Sequence, residues 1–236
     1  MIFAIADLHL SFGCAKPMDM FAGWAGHAER LAQNWRAVIT AEDTVVLPGD
    51  LSWGMTLEEA LPDFQFLHSL PGTKIIMKGN HDYWWSSRKK IETLWAAHDL
   101  PSLRLLHNNA FAAEGAVLCG SRGWFFDCGE QAAERPEEKI VLREACRVRA
   151  SIQAGKQLLA GRAPENLLVF LHYPPIVNGQ ACMEILQVLI DEGITRCYYG
   201  HLHGQSIKWA HRGVYEGIRF ELVSADALGF CPKRVA

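Results

Sequence analysis

The chain has 236 residues, with 23 Lys and Arg against 26 Asp and Glu for a formal net charge of −3; half of it is hydrophobic and 21% is charged. That mixture excludes a disordered or fibrous chain, and the weakly acidic balance argues against a protein that grips duplex DNA through a basic stripe. The length suffices to bury a core without disulfides or a structural metal, and no linker divides it, so a single domain over 1–236 is expected.

Apolar runs alternate with helical patterns along the chain. Residues 2–6 (IFAIA) read as a buried strand ending at Asp7, with no basic leader and too little apolar length for a signal peptide. Residues 26–39 place Leu31, Trp35 and Val38 at helical spacing, and 44–48 (TVVLP) form a β-branched strand. Thr56 and Glu59 form a capping box that opens a helix; Pro62 is expected to kink or interrupt it, and Pro71-Gly72 to stop it. Residues 73–77 (TKIIM) are the next strand, and 87–98 a helix with Ile91, Leu94, Trp95 and His98 on one face. Short strand-like runs over 104–126 surround Gly120-Ser121-Arg122-Gly123. Residues 130–160 are charged, with Val141, Ala145, Val148, Ile152 and Leu159 on one stripe, and read as a long amphipathic helix in a peripheral insertion. Strands resume at 167–171 (LLVFL) and 196–199 (RCYY), separated by a helix over 181–192 with Gly193 as its C-cap. The tail, 206–224, alternates like paired strands. Seven cysteines at wide spacing, without a C-x-x-C pair, read as reduced thiols, and no run of about 18 apolar residues offers a membrane span, so a cytoplasmic location is expected.

Asp, Asn and His fall where apolar runs stop: Asp7-Leu8-His9, Gly49-Asp50, Gly79-Asn80-His81-Asp82, His172, and Gly200-His201-Leu202-His203. Strand ends on one side of a sheet meet at a common edge where ligands bind. Asp7 and His9, two apart, point to the same side if the segment is extended, and His201 and His203 repeat the spacing. Imidazoles, carboxylates and one amide suit Mn, Fe or Zn better than Ca, and the ligand set is too large for one tetrahedral ion. It suits two ions sharing a bridging carboxylate, the tool for in-line displacement at phosphorus.

The ordered set D-x-H, G-D, G-N-H-D, H and G-H-x-H resembles the calcineurin-like metallophosphoesterases over residues 1 to about 205. The resemblance implies an α/β fold, a four-layer α/β/β/α sandwich of two mixed sheets flanked by helices, with a dimetal site at the strand ends. It implies a metal-dependent phosphohydrolase using two transition-metal ions (Mn, Fe, Zn or Ni). By the family pattern Asp7, His9 and His203 hold the first ion, Asp50 bridges, and Asn80, His172 and His201 complete the second. His81 acts on the leaving group, and Asp82 orients it. The implied substrate is a small phosphodiester or phosphomonoester. A nuclease with the same centre and a catalytically silent metal-binding scaffold are the alternatives; the acidic charge disfavours the first and the complete ligand set the second.

Around these motifs, Trp53 and Tyr173 are candidates for the cleft wall, whereas Trp84 and Trp85 read as packing. Arg122, between two glycines, either reaches a phosphate or is an ordinary exposed arginine in a turn. Cys14 reads as a small buried thiol.

Overall fold

The computed structural model describes residues 1–124 and 138–236. In chain order the elements are β1 (Ile2–Ala4), α1 (His27–Val38), β2 (Thr44–Leu47), α2 (Leu57–Ser69), β3 (Thr73–Ile76), α3 (Arg88–Ala97), β4 (Leu103–Leu105), β5 (Ala110–Ala113) and β6 (Ala116–Ser121). They continue with α4 (Glu138–Leu159), β7 (Leu167–Leu171), β8 (Ile176–Val177), β9 (Gln180–Ala181), α5 (Met183–Asp191), β10 (Arg196–Tyr199), β11 (Gly213–Tyr215), β12 (Ile218–Leu222) and β13 (Lys233–Arg234). The protein is a mixed α/β fold with two large mixed sheets flanked by helices, in two compact units.

The first unit comprises residues Met1–Leu105 and Val223–Ala236. Its sheet runs β13-β1-β2-β3-β4, parallel from β1 to β4, with β13 antiparallel at the edge. Strands β1 and β2 are buried along their length and almost wholly apolar, as parallel strands covered on both faces are, whereas β3 carries the buried Lys74 and β4 the exposed Arg104. Leu31 and Trp35 of α1, Phe64 and Leu67 of α2, and Ile91 and Trp95 of α3 bury into one core with Val45, Leu47 and Ile76. Trp35 donates its indole N–H to the Pro71 carbonyl at 2.9 Å, so this large ring enters the core without an orphaned donor. Half-buried Leu94 lies at the margin of the α3 face, and His98, expected on that face, is exposed.

Thr56 caps α2 as expected, its hydroxyl accepting from the Glu59 N–H at 3.2 Å, while the Glu59 carboxylate reaches back to the Met55 N–H at 2.7 Å. Helix α2 then continues through Pro62 rather than breaking. The proline removes one bond near the start of the helix, to the carbonyl of exposed Glu58, where water can replace it.

The second unit, Leu106–Leu222, carries the sheet β11-β12-β10-β7-β6-β5. Strands β12, β10, β7 and β6 are parallel; β11 and β5 are antiparallel edges. Of the segment read as an insertion, 130–137 lie outside the described residues, and the rest forms α4. This helix connects the parallel neighbours β6 and β7 and packs on β5, β6, β7 and α5, burying Val141, Ala145, Val148 and Ile152. Gly155 permits the close approach: a Cβ there would stand 2.7 Å from Leu167 Cδ1. The tail differs from the expected strand pair at its start, where Gly204–Trp209 form a 3-10 helix before the β11–β12 hairpin. Among the described residues, no helix is long and apolar enough to cross a membrane.

Candidate metal centre

In the first unit three adjacent parallel strands deliver their following loops to one edge. Asp7 and His9 follow β1, Asp50 follows β2, and the 78–82 loop follows β3. Asp7, His9 and Asp50 are buried, and one ligand atom from each lies within 4.8 Å of the others. The local backbone is not the extended segment expected for Asp7-Leu8-His9. Asp7, His9 and Asp50 all adopt left-handed backbone, with φ of 57°, 46° and 53°. Cross-strand bonds impose this: the Asp7 N–H donates to the Gly49 carbonyl and the His9 N–H to the Asp50 carbonyl, each at 3.0 Å. The two ligand loops are thereby laced together beyond the ends of their strands.

A third loop braces the pair. The Asp82 carboxylate accepts from the backbone N–H groups of Gly79 (2.7 Å), Asp50 (2.9 Å), Leu51 (2.9 Å) and Ser52 (3.3 Å), and from the Trp84 indole (3.0 Å). Through these bonds Asp82, expected to orient His81, fixes the Asp50 loop. His81 is placed through its backbone N–H, which donates to Asp50 Oδ1 at 2.8 Å. Gly79 is required here, since a Cβ would stand 2.1 Å from Asp50 Oδ1.

Burial pushes the Asp50 carboxyl up to about 6, against the pull of the His81 charge and N–H. Burial, then the Asp50 charge, push Asp82 up to about 7. A cation offsets this penalty, and two carboxylates with an imidazole are the donor set of a transition-metal ion. The residues present therefore fit such an ion.

Aromatic rings wall this site. Trp53 stacks on His9 with centroids 4.8 Å apart and lies 4.7 Å from the His81 ring. Trp24, which the sequence reading did not single out, meets His9 edge-on at 5.8 Å. It sits in a loop without periodicity, so no pattern could flag it. Trp84 is buried against Phe64 and Trp85, as expected for packing, and Cys14 is only half-buried.

In the second unit, His172 follows β7 and His201 follows β10, its parallel neighbour. Their rings lie 5.2 Å apart, and Tyr173 packs 4.6 Å from His201. His201 also takes left-handed backbone, with φ of 72°. The Arg122 carbonyl accepts from both the His172 N–H (3.1 Å) and the Tyr173 N–H (2.9 Å). His203 precedes the 3-10 turn, and Asn80 is half-buried in the 78–82 loop.

Fold and site together define a mixed α/β protein whose strand ends carry buried Asp and His of the types that ligate metals. The family model for calcineurin-like phosphoesterases matches residues 1–205. The chain belongs to that family, and so to the metal-dependent hydrolases of phosphoester bonds. Among solved structures, a protein of unknown function, AQ665 from Aquifex aeolicus, is 16% identical with a TM-score of 0.49, covering 99% of this chain and 94% of that one. A second crystal structure is 13% identical with a TM-score of 0.50, covering 93% and 88%. No curated protein matches the sequence.

Proposed function

We propose that the chain hydrolyses small phosphomonoesters or phosphodiesters with two transition-metal ions of the Mn, Fe, Zn or Ni type. The observation that carries this reading is the buried Asp7, His9 and Asp50 group, whose ligand atoms lie within 4.8 Å of one another. Family membership supports Asp7, His9 and His203 as ligands of one ion, Asp50 as the bridge, and Asn80, His172 and His201 as ligands of the other. Bound there, such ions act as Lewis acids on the phosphoryl group and provide the hydrolytic nucleophile at neutral pH.

The remaining roles fall to the protein. His81, tied by its N–H to Asp50 and set beside Trp53 and Tyr83, gives a proton to the departing oxygen. Trp53, with the Lys16 ammonium 5.2 Å from its ring centroid, walls the leaving-group side. Tyr173, against His201, is a second wall, and Arg122 is the anion contact. The acidic chain favours a small substrate over a nucleic-acid backbone. The described cysteines, all free thiols, support a cytoplasmic location.

The test strips the protein of metal, reloads it with Mn²⁺, Fe²⁺, Zn²⁺, Ni²⁺ or Mg²⁺, and assays p-nitrophenyl phosphate beside bis-p-nitrophenyl phosphate. Turnover is expected to require metal, and His81→Ala to lose about 10²–10⁴-fold. Metal-independent turnover, a fully active Asp50→Ala protein, or a metal-loaded protein inert on both esters would refute the reading.

A further inference from the structure

Glu144 stands out in the second unit. It is a fully buried carboxylate in the N-terminal half of α4, a helix otherwise bonded to its surroundings by apolar packing, the buried Ser151 hydroxyl and surface ion pairs. Oε1 accepts from Arg147 Nη1 at 2.5 Å and lies 3.7 Å from Arg122 Nη2. Oε2 is buried and has no hydrogen-bond partner among the described residues. A surface i,i+3 pair with Arg147 would support the helix without burial, so the buried position needs another reason.

Arg122 supplies it. Ser121, the last residue of β6, is paired with Leu171 of β7, which sets Arg122 beside His172. Its carbonyl takes the His172 and Tyr173 N–H groups, so its backbone cannot drift. Its guanidinium carbon lies 5.3 Å from the Trp124 ring centroid and 5.9 Å from that of Tyr173, which itself packs on His201. The Trp124 indole N–H, screened from solvent, has no acceptor among the described residues, which leaves a second donor beside the guanidinium. Arg122, Arg147 and Glu144 together carry one positive charge beyond neutrality, which suits an anion.

We propose that Glu144 is a positioning residue that holds the Arg122 guanidinium against Trp124 and Tyr173, so that Arg122 binds the phosphoryl oxygens of a phosphomonoester. The inference rests on the phosphohydrolase reading and adds to it the side chain that recognises the extra charge of a monoester. Helix α4 on this view belongs to the substrate site.

The experiment compares wild type, Glu144→Gln, Arg122→Ala and the double variant, all metal-loaded. It measures KM and kcat for p-nitrophenyl phosphate, metal content, and the Kd of inorganic phosphate by calorimetry. Glu144→Gln is expected to raise KM and phosphate Kd together by about 3–10-fold with kcat and metal content little changed, and Arg122→Ala by about 10–100-fold. The double variant should be no worse than Arg122→Ala alone. Arg149→Gln, which breaks surface pairs of the same helix with Asp191 and Glu192, should change neither quantity. A folded Glu144→Gln protein with wild-type KM and Kd, additive losses in the double variant, or equal losses in Arg149→Gln would overturn the proposal. If Glu144→Gln does not fold, an unchanged phosphate Kd in Arg122→Ala overturns it. Should no variant cleave either ester, the phosphohydrolase reading fails while the phosphate titrations still decide this one.

Discussion

Replacing Asp82 by Asn tests whether the ligand loops are held by one carboxylate. The change keeps shape and removes an acceptor. Wild-type Asp82 receives five N–H donors, three on Oδ1 (Leu51, Ser52 and the Trp84 indole) and two on Oδ2 (Asp50 and Gly79). An amide must turn its NH₂ towards one set. The cheaper orientation keeps the oxygen on the three donors and sets the NH₂ against the N–H groups of Asp50 and Gly79. Each buried donor left unsatisfied costs about 1–3 kcal/mol, so the variant should lose about 2–6 kcal/mol. For a chain of this size that is a fall in Tm of roughly 5–20 °C. Since one of the two stranded N–H groups belongs to Asp50, metal affinity should also fall by about 10–100-fold. Thermal and urea unfolding of chelated and metal-loaded protein, with calorimetric metal titration, measure both. An Asp82→Asn protein that melts within about 2 °C of wild type and binds metal normally would refute the account of this loop.

Two further outcomes follow from the same neighbourhood. Gly79→Ala places a Cβ 2.1 Å from Asp50 Oδ1 and 2.3 Å from its backbone N, and neither atom can retreat without moving the Asp50 loop. Metal affinity should drop at least about tenfold, and an unchanged titration would count against the packing argument. Asp63 is buried, accepts from the Phe12 N–H (2.8 Å) and the Ser52 hydroxyl, and is pushed up by burial to about 6. Its folded value lies above its unfolded one, so the native state holds the proton more tightly. This group's contribution to stability is complete below about pH 4 and is lost as pH rises through about 6, an effect of at most about 3 kcal/mol. Asp63→Asn does not titrate; its urea midpoint should gain on wild type from pH 4.5 to 7.5, and a constant difference would contradict the assignment.

The site was legible because ligand-type residues interrupt apolar runs. Parallel strands such as Thr44–Leu47 and Leu167–Leu171 are buried along their length and almost wholly apolar, so Asp50 and His172 mark the points where the chain has left the sheet. The family model covers the same span that the motifs cover. Backbone geometry was not legible. A two-residue spacing predicts a shared face only if the chain is extended, and at Asp7 and His9 the bonds to the Gly49 and Asp50 carbonyls force left-handed φ instead. Nothing in the type of a non-glycine residue announces that. Glu144 was missed for a related reason: a glutamate within a charged stretch reads as solvated, and only the packing of α4 on β6 and β7 buries it. Pro62 misled through its intrinsic penalty, which an exposed carbonyl near the helix start offsets.

The left-handed residues bear on the order of assembly. Non-glycine residues held in that region cost of order 1–3 kcal/mol each and persist only where the surroundings over-determine them. At Asp7, His9 and Asp50 the surroundings are protein: the lacing of the 7–10 and 49–52 segments, including Leu10 N–H to the Leu51 carbonyl at 2.9 Å, and the Asp82 carboxylate beneath them. Bonds internal to the fold thus hold the ligands in place, unlike small metal-nucleated domains, in which binding energy is folding energy. Stripping metal should therefore leave far-UV circular dichroism and urea cooperativity intact. Readdition of ion should raise Tm with the logarithm of its concentration over Kd, through a stabilisation of about 2.7 kcal/mol at a hundredfold excess. Loss of helix and strand signal on chelation would show instead that the ion builds the strained loops, and that the hydrogen bonds of Asp82 form only around it.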